Sequence, residues 1–198
     1  MADPSIEIDY PFEPADAFLC VPACINTLLR RRGLQGLPQA EIAKELGLIV
    51  PPTLAEVYPW APTSDLEADW GVHPQRAETS LTAFFRKHDI PLRELFYRPQ
   101  EIFGRDYEEF IAANLAHDND MLVGYDFRTA IGEGSHVGHV SIISGVNSRR
   151  TVVRLIDPER PTAVSVGVPD LLRGVTAQKD GFWVIGSDMG IEWCRTNY

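Results

Sequence analysis

The chain of 198 residues has few cysteines, no long apolar run and a shortage of positive charge, and each shortage closes off a class of protein. Three cysteines are odd in number and lack zinc-ribbon spacing, so neither a disulfide framework nor a structural zinc site is suggested. No stretch approaches the roughly 18 apolar residues of a membrane-spanning helix. The opening residues, MADPSIEIDYPFEP, are acidic and carry proline, without the basic-plus-apolar pattern of a secretion signal. A cytoplasmic protein with no membrane association is the expectation. Lys and Arg number 18 against 28 Asp and Glu, a net charge of −10. The one basic cluster, Arg30, Arg31 and Arg32, ends a helix, so nucleic-acid binding is not expected. Internal repeats and low-complexity tracts are missing too.

At 44% hydrophobic content the chain is long enough to bury a full core, most simply as one domain over residues 1–198. The best-defined stretch is FLCVPACINTLLRRRG, residues 18–33. Pro22 suits a first helical turn, where a missing N–H costs nothing. Ile25, Leu28 and Leu29 recur at helical spacing and make an apolar stripe. The three arginines complement the negative end of the helix dipole, and Gly33 offers a left-handed stop. Cys20 then lies at or beside the N-cap, where free N–H groups and the dipole favour a thiolate nucleophile. Cys24, one turn on, reads as core.

Residues 1–17 look extended and irregular. A second short helix covers residues 38–46, with Pro38 at its start and Gly47 at its stop. Residues 49–75 show no period; five prolines break them, while Trp60 and Trp70 argue for a packed segment. Thr79 caps a helix running to His88, and residues 90–97 read as a strand. Asp106 with Glu109 makes a capping-box start for a helix over 107–116. His88 and His117 fall at helix C-termini, as partners of the dipole. Valine- and isoleucine-rich runs at 121–125, 140–146, 151–156 and 182–185 read as strands. A glycine-rich loop precedes the second of them, residues 169–175 form one helical turn or two, and 188–198 form a tail near which Cys194 is expected to be exposed. Helices first and strands afterwards predict an α+β domain, its N-terminal helices packed on a mostly antiparallel sheet.

The informative geometry is in residues 139–158, HVSIISGVNSRRTVVRLIDP. A three-residue loop centred on Ser148 places Val146 opposite Arg150 and His139 opposite Asp157. Opposed residues share a face, with Cβ atoms roughly 4.5–5.5 Å apart, so an imidazole would meet a carboxylate. That pairing fixes a catalytic tautomer and steadies the imidazolium. A register slip of one residue would separate the two. A metal site on His136 and His139 is disfavoured, because residues three apart on a strand point to opposite faces.

LCVPAC ahead of a helix, then GHVSIISGV, then VRLIDP, resembles the papain-like cysteine peptidases that remove double-glycine leaders from bacteriocin precursors, and their stand-alone relatives. The resemblance runs over roughly residues 10–187. It implies the papain-like cysteine peptidase fold, with Cys20 as nucleophile, His139 as general base and Asp157 as the residue that orients it. A peptidase or amidase passing through an acyl-enzyme on Cys20 follows, with a peptide or acyl donor as substrate and no cofactor or metal. The same triad would serve an acyltransferase, and a binding domain that has lost turnover is a third reading. Arylamine acetyltransferases and transglutaminases share the residue order but usually have a shorter interval between cysteine and histidine. Three positions depart from the family: Leu19 and Val21 replace its Asp and Gly, and Pro14 stands where papain-like enzymes carry an oxyanion-binding glutamine. The oligomeric state is left open.

Overall fold

A computed structural model describes residues 6–74, 76–102 and 106–198. In chain order the elements are β1 (Ile6–Glu7), α1 (Cys20–Arg31), α2 (Gln39–Glu45), α3 (Leu81–Lys87), β2 (Arg93–Tyr97), α4 (Tyr107–Ala116), β3 (Asp120–Asp126), α5 (Phe127–Ile131), β4 (Gly138–Val146), β5 (Val152–Ile156), β6 (Val164–Gly167), α6 (Val168–Gln178), β7 (Phe182–Gly186) and α7 (Asp188–Asn197). The strands form one sheet in the order β2-β7-β3-β4-β5-β6, with β1 added against β4, and every pairing is antiparallel.

Helices cover both faces of this sheet, because its central strands alternate two sets of apolar side chains. Leu122, Val140, Ile142, Trp183 and Ile185 point to one side and pack against Ile25, Leu28 and Leu29 of α1 and Phe84 and Phe85 of α3. Met121, Val123, Ile143, Leu155 and Val184 point to the other and meet Phe110 and Ile111 of α4, Leu171 and Val175 of α6 and Ile191 of α7. Each fully buried Leu or Ile of α1 contributes about 1.5–3 kcal/mol by leaving water.

The central helix begins at Cys20 and ends at Arg31, with Gly33 left-handed at φ +70°, as the sequence predicts. Its last turn is bound to the start of β3: Arg31 donates to Asp120 Oδ1 at 2.9 Å, and Arg32 Nε to Oδ2 at 2.5 Å. Tyr10 Oη donates to the same carboxylate at 2.6 Å. Residues 49–75 are packed rather than loose. Ile49 bridges Gly71 and Val50 bridges Thr63, while Val50 and Tyr58 close over Leu19 and Ala43.

Several sequence expectations are corrected. The α3 cap is Ser80, which accepts from Ala83 N; Thr79 instead donates to the His73 carbonyl. Pro91 delays β2 to Arg93. Asp106 caps α4 through Glu108 N, but Glu109 pairs with Arg150 rather than closing a capping box. Residues 1–17 contribute strand β1, and β6 and α5 were not expected at all. Where one or two helical turns were expected, α6 runs from Val168 to Gln178. The C-terminal tail is helix α7, and it buries Cys194 completely. No helix among the described residues is long and apolar enough to cross a membrane.

Candidate active site

The hairpin of β4 and β5 differs from the expected one, and the difference fixes the site. Asn147 organises the turn by accepting from the N–H groups of Thr151 at 2.8 Å and Val152 at 3.0 Å, so the loop takes residues 147–151. Near the turn Val146 opposes Val153 and Gly145 opposes Arg154. Further in, Ile143 opposes Leu155 and Ile142 opposes Ile156. Ser144 is therefore an extra residue, a β-bulge. Its hydroxyl donates to the Arg154 carbonyl at 3.2 Å, and its own carbonyl accepts from Ile8 N at 2.7 Å.

Had the outer register continued, Asp157 would lie across from Ile142, on the face that packs against α1. The bulge places it across from Ser141 instead, on the face shared by His139. The two are diagonal neighbours, not directly opposed as predicted. His139 Nε2 nevertheless reaches Asp157 Oδ1 at 2.9 Å, with both side chains buried. Oδ1 also accepts the N–H of Glu159 at 2.9 Å.

With Nε2 committed to Asp157, the other ring nitrogen is left for Cys20, whose thiol bears on the imidazole. Burial opposes charge on His139, but the hydrogen bond and charge of Asp157 and the influence of Cys20 outweigh it and push the ring up to about 10. Asp157 shows the mirror image. Burial works against its charge, and His139, the Glu159 N–H and Arg160 prevail and hold it below the usual carboxylate range. The three residues singled out in the sequence thus come together. Cys24 stays in the core as expected: its thiol donates to the Val140 carbonyl at 3.6 Å, and burial pushes it well above the ordinary thiol range. His136 turns away to Asp126, Nδ1 to Oδ1 at 3.0 Å.

The chain just before Cys20 is held from several sides. Glu13 is buried, accepts from Asn26 at 2.8 Å and pairs with Arg30 at 3.0 Å. Gln39 of α2 donates to the Pro14 carbonyl at 2.8 Å and accepts from Asp16 N at 3.2 Å. Ala15 N donates to the Pro158 carbonyl at 2.9 Å, joining this loop to the turn after Asp157. Phe18 then takes a left-handed φ of +65°, unusual for a bulky residue, and rests edge-on against Trp70 with ring centroids 6.1 Å apart. Of the first N–H positions in α1, Pro22 has none and Ala23 donates to the Leu19 carbonyl, which leaves Cys20 and Val21.

Sequence reasoning missed the groups that wall the histidine. Phe127 and Tyr125 stand edge-on to its ring at 5.4 and 5.8 Å, and Arg160 lies over Phe127 at 5.1 Å. Asp126, an N-cap before Phe127, was the readable signal for α5; for Arg160 no local pattern existed. A cavity of about 450 Å³ lined by Arg98, Gln100, Thr176, Lys179 and Asp180 lies elsewhere, and none of the three residues lines it.

An antiparallel sheet covered on both faces, with a cysteine opening the helix on one side and a histidine near the start of a central strand, is an α+β papain-like cysteine-peptidase fold. The solved structures agree. The chain superimposes on the crystal structure of a C39-like protein from Bacillus anthracis, assigned as a peptidase, with a TM-score of 0.62 over 93% of this chain and 98% of that one. Sequence identity between the two is 12%, so the likeness is one of fold. No family model matches the chain, and no curated protein sequence matches it.

Proposed function

We propose that the protein is a cysteine peptidase or amidase that forms an acyl-enzyme on Cys20, with His139 and Asp157 completing the triad. The observation that carries this reading is the buried His139–Asp157 hydrogen bond at 2.9 Å beside the Cys20 thiol. In the reaction, Cys20 Sγ attacks the substrate carbonyl carbon while His139 holds the thiol's proton. The imidazolium then gives that proton to the leaving group as the C–N or C–S bond breaks. Water, deprotonated by His139, releases the acid and restores the thiol. The site needs no cofactor, and the substrate is a peptide or acyl donor. The C39-like peptidase assignment of the structural neighbour supports the hydrolytic form, and a cytoplasmic setting would keep the nucleophile reduced.

A second reading, acyl transfer from an activated donor, rests on the Pro14 position. The segment that carries an oxyanion-binding glutamine in papain-like enzymes has a proline here. Gln39 clamps that segment with both ends of its amide, so it does not act as the missing donor. The Cys20 and Val21 N–H groups remain for the oxyanion. Losing one donor typically costs about 10²–10³ in kcat, felt more by an amide than by a thioester. Intact-mass spectrometry after incubation with matched peptide-amide and thioester substrates tests both readings, with Cys20→Ala as the control. An acyl adduct on Cys20 and a higher kcat/KM for the thioester are expected. Adduct-free protein with every substrate would leave a binding domain, and efficient cleavage of casein-like substrates would refute the oxyanion deficit.

A further inference from the structure

The loop of residues 127–137 begins at Phe127, edge-on to the His139 ring, and its middle is tied to Asp157 by one side-chain bridge through Arg160. Its ends are joined by Phe127 N donating to the Val137 carbonyl at 2.9 Å. Asp126 fixes the near end by capping α5 through Thr129 N at 2.8 Å and by pairing with His136. The middle turns through two left-handed glycines, Gly132 at φ +85° and Gly134 at +77°. Just between them Glu133 reaches across to Arg160 Nη1 at 2.7 Å. The same guanidinium lies over Phe127 and brings Nε to 3.5 Å from Asp157 Oδ2, a buried oxygen with no hydrogen-bond partner.

We propose that Arg160 and Glu133 are positioning residues: their ion pair latches the 127–137 loop shut, so that Phe127 keeps water from the His139–Asp157 pair. This rests on the triad reading above. In a dry site the charge of Asp157 acts on the imidazole at low effective dielectric, and water entering beside Oδ2 would weaken that hold. The groups bearing on Asp157 are His139 on β4, Cys24 on α1, Tyr125 on β3, and Glu159 N–H and Arg160 in its own turn; Cys20 bears on His139. Of these, His139 and Tyr125 also meet the ring of Phe127, and Arg160 is the one ion-paired to the loop, through Glu133.

Two measurements that need no substrate test the latch: hydrogen exchange over residues 127–137, and the rate of Cys20 alkylation by iodoacetamide as a function of pH. Glu133 is largely exposed, so Glu133→Ala leaves the fold intact. In that variant and in Arg160→Met, loop exchange is expected to accelerate. The acid limb of the alkylation profile is expected to move up by about one pH unit, about tenfold in rate along that limb. Arg160→Lys, which keeps the charge, restores part of both. Unchanged exchange and an unchanged profile in Glu133→Ala and Arg160→Met overturn the latch while leaving the triad standing. If wild-type Cys20 itself alkylates like an ordinary free thiol, the triad reading falls, and the coupling of loop to thiol falls with it.

Discussion

His139 and Asp157 are bonded at 2.9 Å without being opposed on their hairpin, and the residue responsible is neither of them. Ser144 is bulged out of the ladder instead of pairing, and that keeps Asp157 on the histidine's face. Deleting Ser144 would leave one unbroken ladder in which Val146–Val153, Gly145–Arg154, Ile143–Leu155 and Ile142–Ile156 all persist, so the pair should survive. Val146 keeps its face as well, so only a small change in Tm is expected. The readout is the NMR signal of the His139 Nε2 proton, shifted far downfield in the wild type and retained in the deletion. Loss of that signal would mean that the local shape of the bulge, and not the register on either side of it, holds the pair.

Asp157→Asn keeps the shape of the side chain and removes its charge. The amide no longer favours the imidazolium, so acyl-enzyme formation is expected to fall by about 10²–10⁴ with little change in Tm. His136→Ala should be mild, since that ring is exposed and paired with Asp126. Equal losses at His136 and His139 would point to a different base.

The central helix, its stop and the meeting of Cys20, His139 and Asp157 were legible because each rests on local chemistry or on a period. The shared face of His139 and Asp157 was legible although the register was not. The expected pairing is off by two residues at Asp157, and a strand's side-chain period of two forgives an even error. What could not be read was the Asn147 turn together with the bulge, whose two register changes combine into that even shift. The tail was misread because α7 is amphipathic over a short span and earns its helix by burying Ile191 and Cys194 against the sheet. Arg160 was invisible for a different reason: Glu133 and Phe127, its partners on the 127–137 loop, are distant in sequence.

Burial separates the three thiols. Cys24 and Cys194 are both in the core, and burial pushes each upward from the ordinary thiol range. Limiting iodoacetamide at neutral pH should label Cys20 first, with Cys24 and Cys194 reacting only after denaturation. Peptide mapping decides this, and early labelling of Cys24 would remove Cys20 as the nucleophile.

Asp120 is the joint between the central helix and the sheet. Fully buried, it takes Arg31, Arg32 and Tyr10 together. Asp120→Ala leaves two largely buried guanidinium groups and a buried hydroxyl short of a partner, and should destabilise the fold by about 3–5 kcal/mol. A urea titration would show this as a lower midpoint at an unchanged slope. A change below about 1 kcal/mol would show that Asp118, which also pairs with both arginines, suffices to hold them.

Glu94 carries the opposite kind of charge, one the fold does better without. It sits on β2 opposite Ile185, and its Oε2 is buried with no hydrogen-bond partner. Burial pushes its carboxyl up to about 7, although the N–H groups of Thr82 and Leu81 at the start of α3 favour the anion. Below its ordinary value of 4.5 the group is protonated whether the chain is folded or not, and it costs nothing. Between there and about 7 the folded chain holds a proton that the unfolded chain has released, so stability falls as pH rises. Above about 7 the full penalty is present. Glu94→Gln imitates the neutral form. It should match the wild type at pH 4 and be more stable at pH 8, by something on the order of 2 kcal/mol, or about 4–8 °C in Tm. Asp180, pushed up to about 6 by burial, adds a penalty of the same sign to both proteins, so the difference between them isolates Glu94. Thermal melts of the pair at pH 4, 6 and 8 would show the gap opening across that window. A gap of one size at all three pH values would mean that Glu94 stays ionised in the folded chain and finds a partner for Oε2.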